Sequence, residues 1–63
     1  MNTGTVKFFN ESKGFGFITD DETKQDVFVH KSGLTVDIRE NDKVEYRVEE
    51  GRKGLNAVDV KLL

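Results

Sequence analysis

The chain has no cysteine and no tryptophan, and His30 is its only histidine. Without thiols no disulfide framework can form, and one histidine alone cannot make a zinc-type ligand set. No apolar run approaches the roughly 20 residues a membrane helix needs. No segment keeps a helical period, and no repeat, linker or low-complexity tract is visible. The opening Met1-Asn2-Thr3-Gly4 lacks the basic-then-apolar pattern of a secretory signal, so a cytoplasmic protein without a membrane segment is expected.

Sixty-three residues suffice for one domain, expected over 1–63. A chain of about this length buries only roughly 60% of the surface its unfolded form exposes. With neither disulfide nor metal to help, the fold must rest on its apolar core and its hydrogen-bonded ladder. Ten lysines and arginines against twelve acids give a net charge of −2. That balance disfavours a polyanionic partner only if the cations are scattered, because phosphate affinity depends on where they cluster.

Hydrophobicity alternates with period two along most of the chain. Thr5 to Asn10 reads as a strand, with adjacent Phe8 and Phe9 on opposite faces. The polar turn Asn10-Glu11-Ser12-Lys13 leads into a second strand, Gly14 to Thr19. There Phe15 and Phe17 share one face, and Gly16 and Ile18 the other. A polar loop, Asp20 to Gln25, precedes a third strand, Asp26 to His30, with Val27 and Val29 opposed to Phe28 and His30. Lys43 to Glu49 and Leu55 to Leu62 supply the last two strands, joined through Glu50 to Gly54. The stretch from Lys31 to Asp42 has room for a short helical turn at most.

Short strands in so small a chain leave edges that an open sheet would expose, and closure into a barrel removes them. The expected inward set is Val6, Ile18, Val27, Val29, Leu34, Val44, Val48, Val58 and Val60. These are mostly β-branched, as strands favour. That set leaves Phe8, Phe15, Phe17, Phe28 and His30 unused, and strand parity gathers most of them on the outer side of the second and third strands.

Several large aromatics displayed together mark a binding surface or a second packed layer against a partner sheet or subunit. Two features favour binding. Lys7 precedes Phe8, Lys13 lies just before Phe15, and Lys31 follows His30. A groove that stacks bases and tracks phosphates needs rings and cations side by side. Gly14 and Gly16 flank Phe15. An inward glycine lets the strand coil tightly and turns its phenylalanines outward.

Lys13-Gly14-Phe15-Gly16-Phe17-Ile18 resembles the first ribonucleoprotein motif, and Val27-Phe28-Val29-His30 the second. With Gly4-Thr5-Val6-Lys7-Phe8-Phe9-Asn10 in front, the three blocks are similar in order and spacing to bacterial cold-shock proteins across essentially the whole chain. The resemblance implies an all-β, five-stranded antiparallel barrel of the OB-fold type. It also implies binding of single-stranded RNA and DNA with little sequence preference, in an RNA chaperone that keeps transcripts unstructured in the cold. Carried across by position, the binding residues would be Lys7, Phe8, Lys13, Phe15, Phe17, Phe28 and His30, with Lys53 as a phosphate contact in the last loop. Lys31 stands where the family commonly has an aromatic, and adds charge there instead. Phe8 replaces a usual tryptophan, and residues 32–42 are shorter than in the best-known members.

No metal, cofactor or small-molecule substrate is expected, and the chain is read as a monomer. The acidic run Asp20-Asp21-Glu22 is read as a solvated turn. Two other classes compete with this reading. One is a barrel that docks a peptide or subunit on its aromatics, which would not need interleaved lysines. The other is a small nuclease, which would need a metal cluster or histidine pair that the chain does not supply.

Overall fold

Strands form where the period-two pattern lies: β1 (Asn2–Asn10), β2 (Phe15–Asp20), β3 (Asp26–His30), β4 (Lys43–Gly51) and β5 (Gly54–Leu62). The computed structural model describes residues 1–51 and 54–63. The strands close into a barrel in the order β1-β2-β3-β5-β4, with every pairing antiparallel except the short parallel contact of β3 with β5. This is the all-β barrel expected from the sequence. β1 begins three residues before the expected start at Thr5, because Asn2 and Thr3 pair with Tyr46 and Glu45 of β4. The 31–42 connection holds a single 3-10 turn, Lys31–Gly33, and then bridges back to the barrel through Leu34 and Val60.

The interior is formed by Val6, Ile18, Val27, Val29, Ile38, Val44, Tyr46, Ala57 and Val60. It differs from the expected set for four physical reasons. Strict alternation fails in β5. A register shift between Glu45 and Arg47 leaves Asp59 at φ 52, so Ala57 and Val60 face inward and Val58 is only half-buried. Leu34 and Val48 pack against the core from its rim rather than lying inside it. Ile38 belongs to no strand, yet it is 2% exposed and closes the core from the connection between β3 and β4.

The fourth difference concerns polarity. Tyr46 is wholly buried, and its hydroxyl donates to Asp20 Oδ2 at 2.7 Å. Asp20 is itself buried and accepts from Asn2 Nδ2 at 3.4 Å and from the backbone N–H groups of Glu22 and Thr23 at 2.8 and 3.1 Å. The Tyr46 hydrogen bond and the two backbone donors hold the Asp20 carboxyl below its usual 3.8 against the cost of burial. Burial, and then the carboxylate beside it, pushes the Tyr46 phenol above its usual 10.0. Asp21 in turn accepts from Thr5 Oγ1 and from Lys43 Nζ, both at 3.2 Å. Asp20 and Asp21 thus form a structural junction tying β2 to β1 and β4, while Glu22 is an exposed turn residue as expected.

Candidate nucleic-acid interface

A second irregularity makes the outer face. Val6 pairs with Ile18, but Phe8 pairs with Phe17, so the register shifts across Lys7. Val6 points inward, and regular alternation would bring Phe8 in behind it. The extra residue reverses the parity: Phe8 turns outward, 40% exposed, and Phe9 packs against the core. Gly16 permits the close approach that this requires. A Cβ there would lie 2.7 Å from Phe9 Cα and closer still to the Phe8 carbonyl oxygen. Gly14, at φ +75, makes the tight entry into β2 that a side chain would strain.

The aromatic rings form one unbroken row. The Phe8 and Phe17 centroids are 5.6 Å apart, Phe17 and Phe28 are 5.8 Å apart, and Phe28 and Phe15 also 5.8 Å. The last pair is stacked, with planes 21° apart, while Phe17 meets Phe28 edge-on at 78°. Cross-strand pairing fixes the order: Phe17 opposes both Phe8 and Phe28, and Phe15 opposes His30. Phe15, Phe17 and Phe28 are half-buried, so each ring keeps surface to offer, and His30 at the end of the row is exposed.

Cations stand around the row. Lys13 is exposed in the β1–β2 turn, its backbone N–H held by Asn10 Oδ1 at 3.1 Å. Lys31 follows His30, with its aliphatic stem lying over Gly14. Lys7, at the bulge, makes a 3.0 Å ion pair with Asp26, both side chains being well exposed. Lys7 and Thr19 hold the Asp26 carboxyl below its usual value. Lys53 lies outside the described residues.

The structure therefore brings Phe8, Phe15, Phe17, Phe28 and His30 together on one face, with Lys7, Lys13 and Lys31 on its borders. Sequence reasoning overlooked two polar groups of the same face. Asp26 shares the strand parity of Phe28 and His30, a signal that was present in the sequence. Asn56 is the direct partner of Phe28 across the β3–β5 pairing, and no local pattern could have indicated it. Among the described residues no cluster of three or more potential metal ligands occurs.

Residues 2–63 match the family described as the 'Cold-shock' DNA-binding domain. The chain is 51% identical to the cold shock-like protein CspA of Stigmatella aurantiaca, covering 97% of this chain and 96% of that protein. It is 53% identical to the cold shock-like protein CspG of Shewanella violacea, over 92% and 89% of the two chains. The major cold shock protein of Micrococcus luteus is 45% identical over 95% of this chain and 96% of its own. Among solved structures, Drosophila Unr CSD456 superposes with a TM-score of 0.80 at 31% identity, covering 98% of this chain. This chain spans 26% of that longer one.

Proposed function

The chain belongs to the 'Cold-shock' DNA-binding domain family, a family of nucleic-acid binders, and from that premise we propose that it binds single-stranded RNA and DNA by stacking bases on the Phe8–Phe17–Phe28–Phe15 row. The observation that supports this most is the row itself: rings spaced 5.6–5.8 Å apart on the outside of a barrel whose core is complete without them. A π-face accepts any base, so the interface has little sequence preference. Stacking contributes about 1–3 kcal/mol per base, and the few lysines add phosphate contacts of secondary weight.

A base lying on Phe15 or Phe28 cannot stay paired in a duplex. Binding therefore draws weak hairpins toward the open strand by mass action. This is the action of an RNA chaperone, with no nucleotide hydrolysis and no catalytic group. His30 serves as a further contact at the end of the row, and Lys7, Lys13, Lys31 and Lys53 engage phosphates.

The test is fluorescence anisotropy with a labelled pyrimidine-rich strand of about seven nucleotides, a length within the usual range of such barrels, beside the same sequence as a duplex. Binding to the strand and not to the duplex is the expected result. Equal affinity for both would refute the stacking mechanism. Four lysines at most, each worth a slope of about −0.7 in log K against log salt, limit the total slope to about −3.

A further inference from the structure

Past Phe15 and His30 the aromatic row stops and the surface changes character. A hollow of about 390 Å³ opens at the end of the barrel, lined by Phe9, Leu34 and Ile38 and by the charged residues Glu11, Lys31 and Asp37. Lys31 stands between the two regions. Its backbone N–H donates to the Gly14 carbonyl oxygen at 2.8 Å, and its stem lies over Gly14, next to Phe15 in the chain. Beyond this cation the next charges are two exposed acids.

Both acids are set in place by the chain around them. The Gly14 N–H donates to the Asn10 carbonyl oxygen at 2.7 Å, which closes the turn that carries Glu11. Thr35 is tied to the Val60 carbonyl oxygen through its backbone N–H at 3.0 Å and its hydroxyl at 2.6 Å. With Ile38 buried on the other side, Asp37 lies between two anchored residues. Among the described residues Asp37 is the one aspartate whose carboxylate accepts no hydrogen bond; Asp20, Asp21, Asp26, Asp42 and Asp59 all do. Neither Glu11 nor Asp37 belongs to an ion pair among those residues. The far side of the hollow therefore presents two carboxylates that no protein cation neutralises.

We propose that Glu11 and Asp37 form an electrostatic stop that ends the bound strand at Lys31. Lys31 takes the last phosphate, and the two carboxylates repel the next one. This rests on the single-strand reading given above and deepens it, because the stop limits the length of strand the barrel accommodates. Four rings and His30 place it after about five nucleotides, within the range of such barrels. At low salt a phosphate several ångströms from an exposed carboxylate meets a penalty of roughly twofold, so roughly fourfold for the pair. The penalty disappears at about 1 M salt, where the screening length is only about 3 Å.

The test compares thymine oligonucleotides of about five nucleotides, extended by two at one end or the other, by fluorescence anisotropy. The extending linkages are either ordinary phosphodiesters or uncharged methylphosphonates. For extension at one of the two ends, the native protein should prefer the uncharged linkages roughly fourfold at low salt. That preference should fall to near one in the Glu11→Gln, Asp37→Asn double variant and at about 1 M salt. It should remain in Glu22→Gln, Glu45→Gln, which removes the same charge from the β2–β3 turn and from β4. Equal binding of both linkages at both ends overturns the proposal, as does a preference that survives in the first variant or vanishes equally in the second. Failure of every oligonucleotide to bind would instead overturn the interface reading itself, a result distinct from the absence of a stop.

Discussion

Replacing Tyr46 by phenylalanine removes one oxygen from the interior and keeps the ring. The ring is fully buried, and its hydroxyl is a 2.7 Å donor to the buried carboxylate of Asp20. A hydrogen bond to a charged group contributes about 1.5–3 kcal/mol, and its loss here leaves that carboxylate with fewer donors. Three donors remain, the Glu22 and Thr23 amides and the weak 3.4 Å contact from Asn2, so the expected cost is about 2 kcal/mol, near the lower end. For a domain of this size that lowers the melting temperature by about 8–16 °C.

The cost depends on pH at both ends. Asp20 titrates below its usual 3.8 when folded, so its stabilising effect is complete above that value and fades as pH falls through the folded one. Tyr46 titrates above its usual 10.0 when folded, so its effect is complete below that value and is lost as pH rises past it. The gap between the native protein and Tyr46→Phe is therefore widest between those two values and narrows on either side. Urea unfolding followed by far-UV circular dichroism suits the measurement, since the variant loses the only tyrosine of a chain without tryptophan. A gap below about 0.5 kcal/mol, less than an ordinary net hydrogen bond, or one that does not change with pH, would refute the account of this junction.

Other perturbations have equally definite outcomes. Gly16→Ala places a Cβ against the β1 backbone, 2.7 Å from Phe9 Cα, and overpacking against backbone costs about 1–3 kcal/mol or more; thermal denaturation should show a large loss, and an unchanged midpoint would mean that the bulge is not needed. Ile38→Ala empties a site that is 2% exposed in a connecting segment, and a loss of about 2–5 kcal/mol in urea unfolding is expected. Asp26→Asn releases Lys7 from its ion pair, so Lys7 reaches a phosphate without first giving up that partner and single-strand affinity at low salt should rise; weaker binding would show that the Asp26 carboxylate itself contacts the ligand.

The strands and the outer aromatic row were legible because both depend on parity, which a sequence displays directly. Phe15 and Phe17 alternate with Gly16 and Ile18, and Phe28 and His30 with Val27 and Val29, so pairing β2 with β3 necessarily brings the rings together. What could not be read were the places where parity changes. The extra residue at Lys7 and the left-handed Asp59 each reverse the alternation, and both arise in the register with a partner strand, β2 and β4 respectively, which one strand's own pattern does not display. Phe8 was left out of the core set and placed at the site by resemblance, whereas its outward turn is caused by a bulge. Ala57 was passed over for Val58 because β5 was read as regular.

Long-range polar contacts were hidden for a similar reason. Asp20 and Asp21 look alike in a run of acids, yet one is buried beneath Tyr46 and the other pairs with Lys43 at the surface. Only the fold, which brings the end of β2 beside β4, distinguishes them. Ile38 was left out of the expected core because it lies in no strand, and nothing local shows that this connection folds back over the barrel end. The polar side of the interface, Asp26 and Asn56, lies on β3 and β5 and takes its meaning from the rings it adjoins.

The most direct test of the central claim, that stacking on the outer rings carries binding, is the Phe15→Ala, Phe28→Ala double variant. Its affinity for a labelled single strand is measured by anisotropy at low and high salt, with circular dichroism verifying the barrel. Both rings lie outside the core cluster, so the fold should persist while affinity falls by at least tenfold, the effect of losing one stacked base at the lower end of its usual strength or slightly more. The remaining binding should be more salt-sensitive than that of the native protein. Unchanged affinity in a folded double variant would contradict the account and assign the aromatic face to another partner.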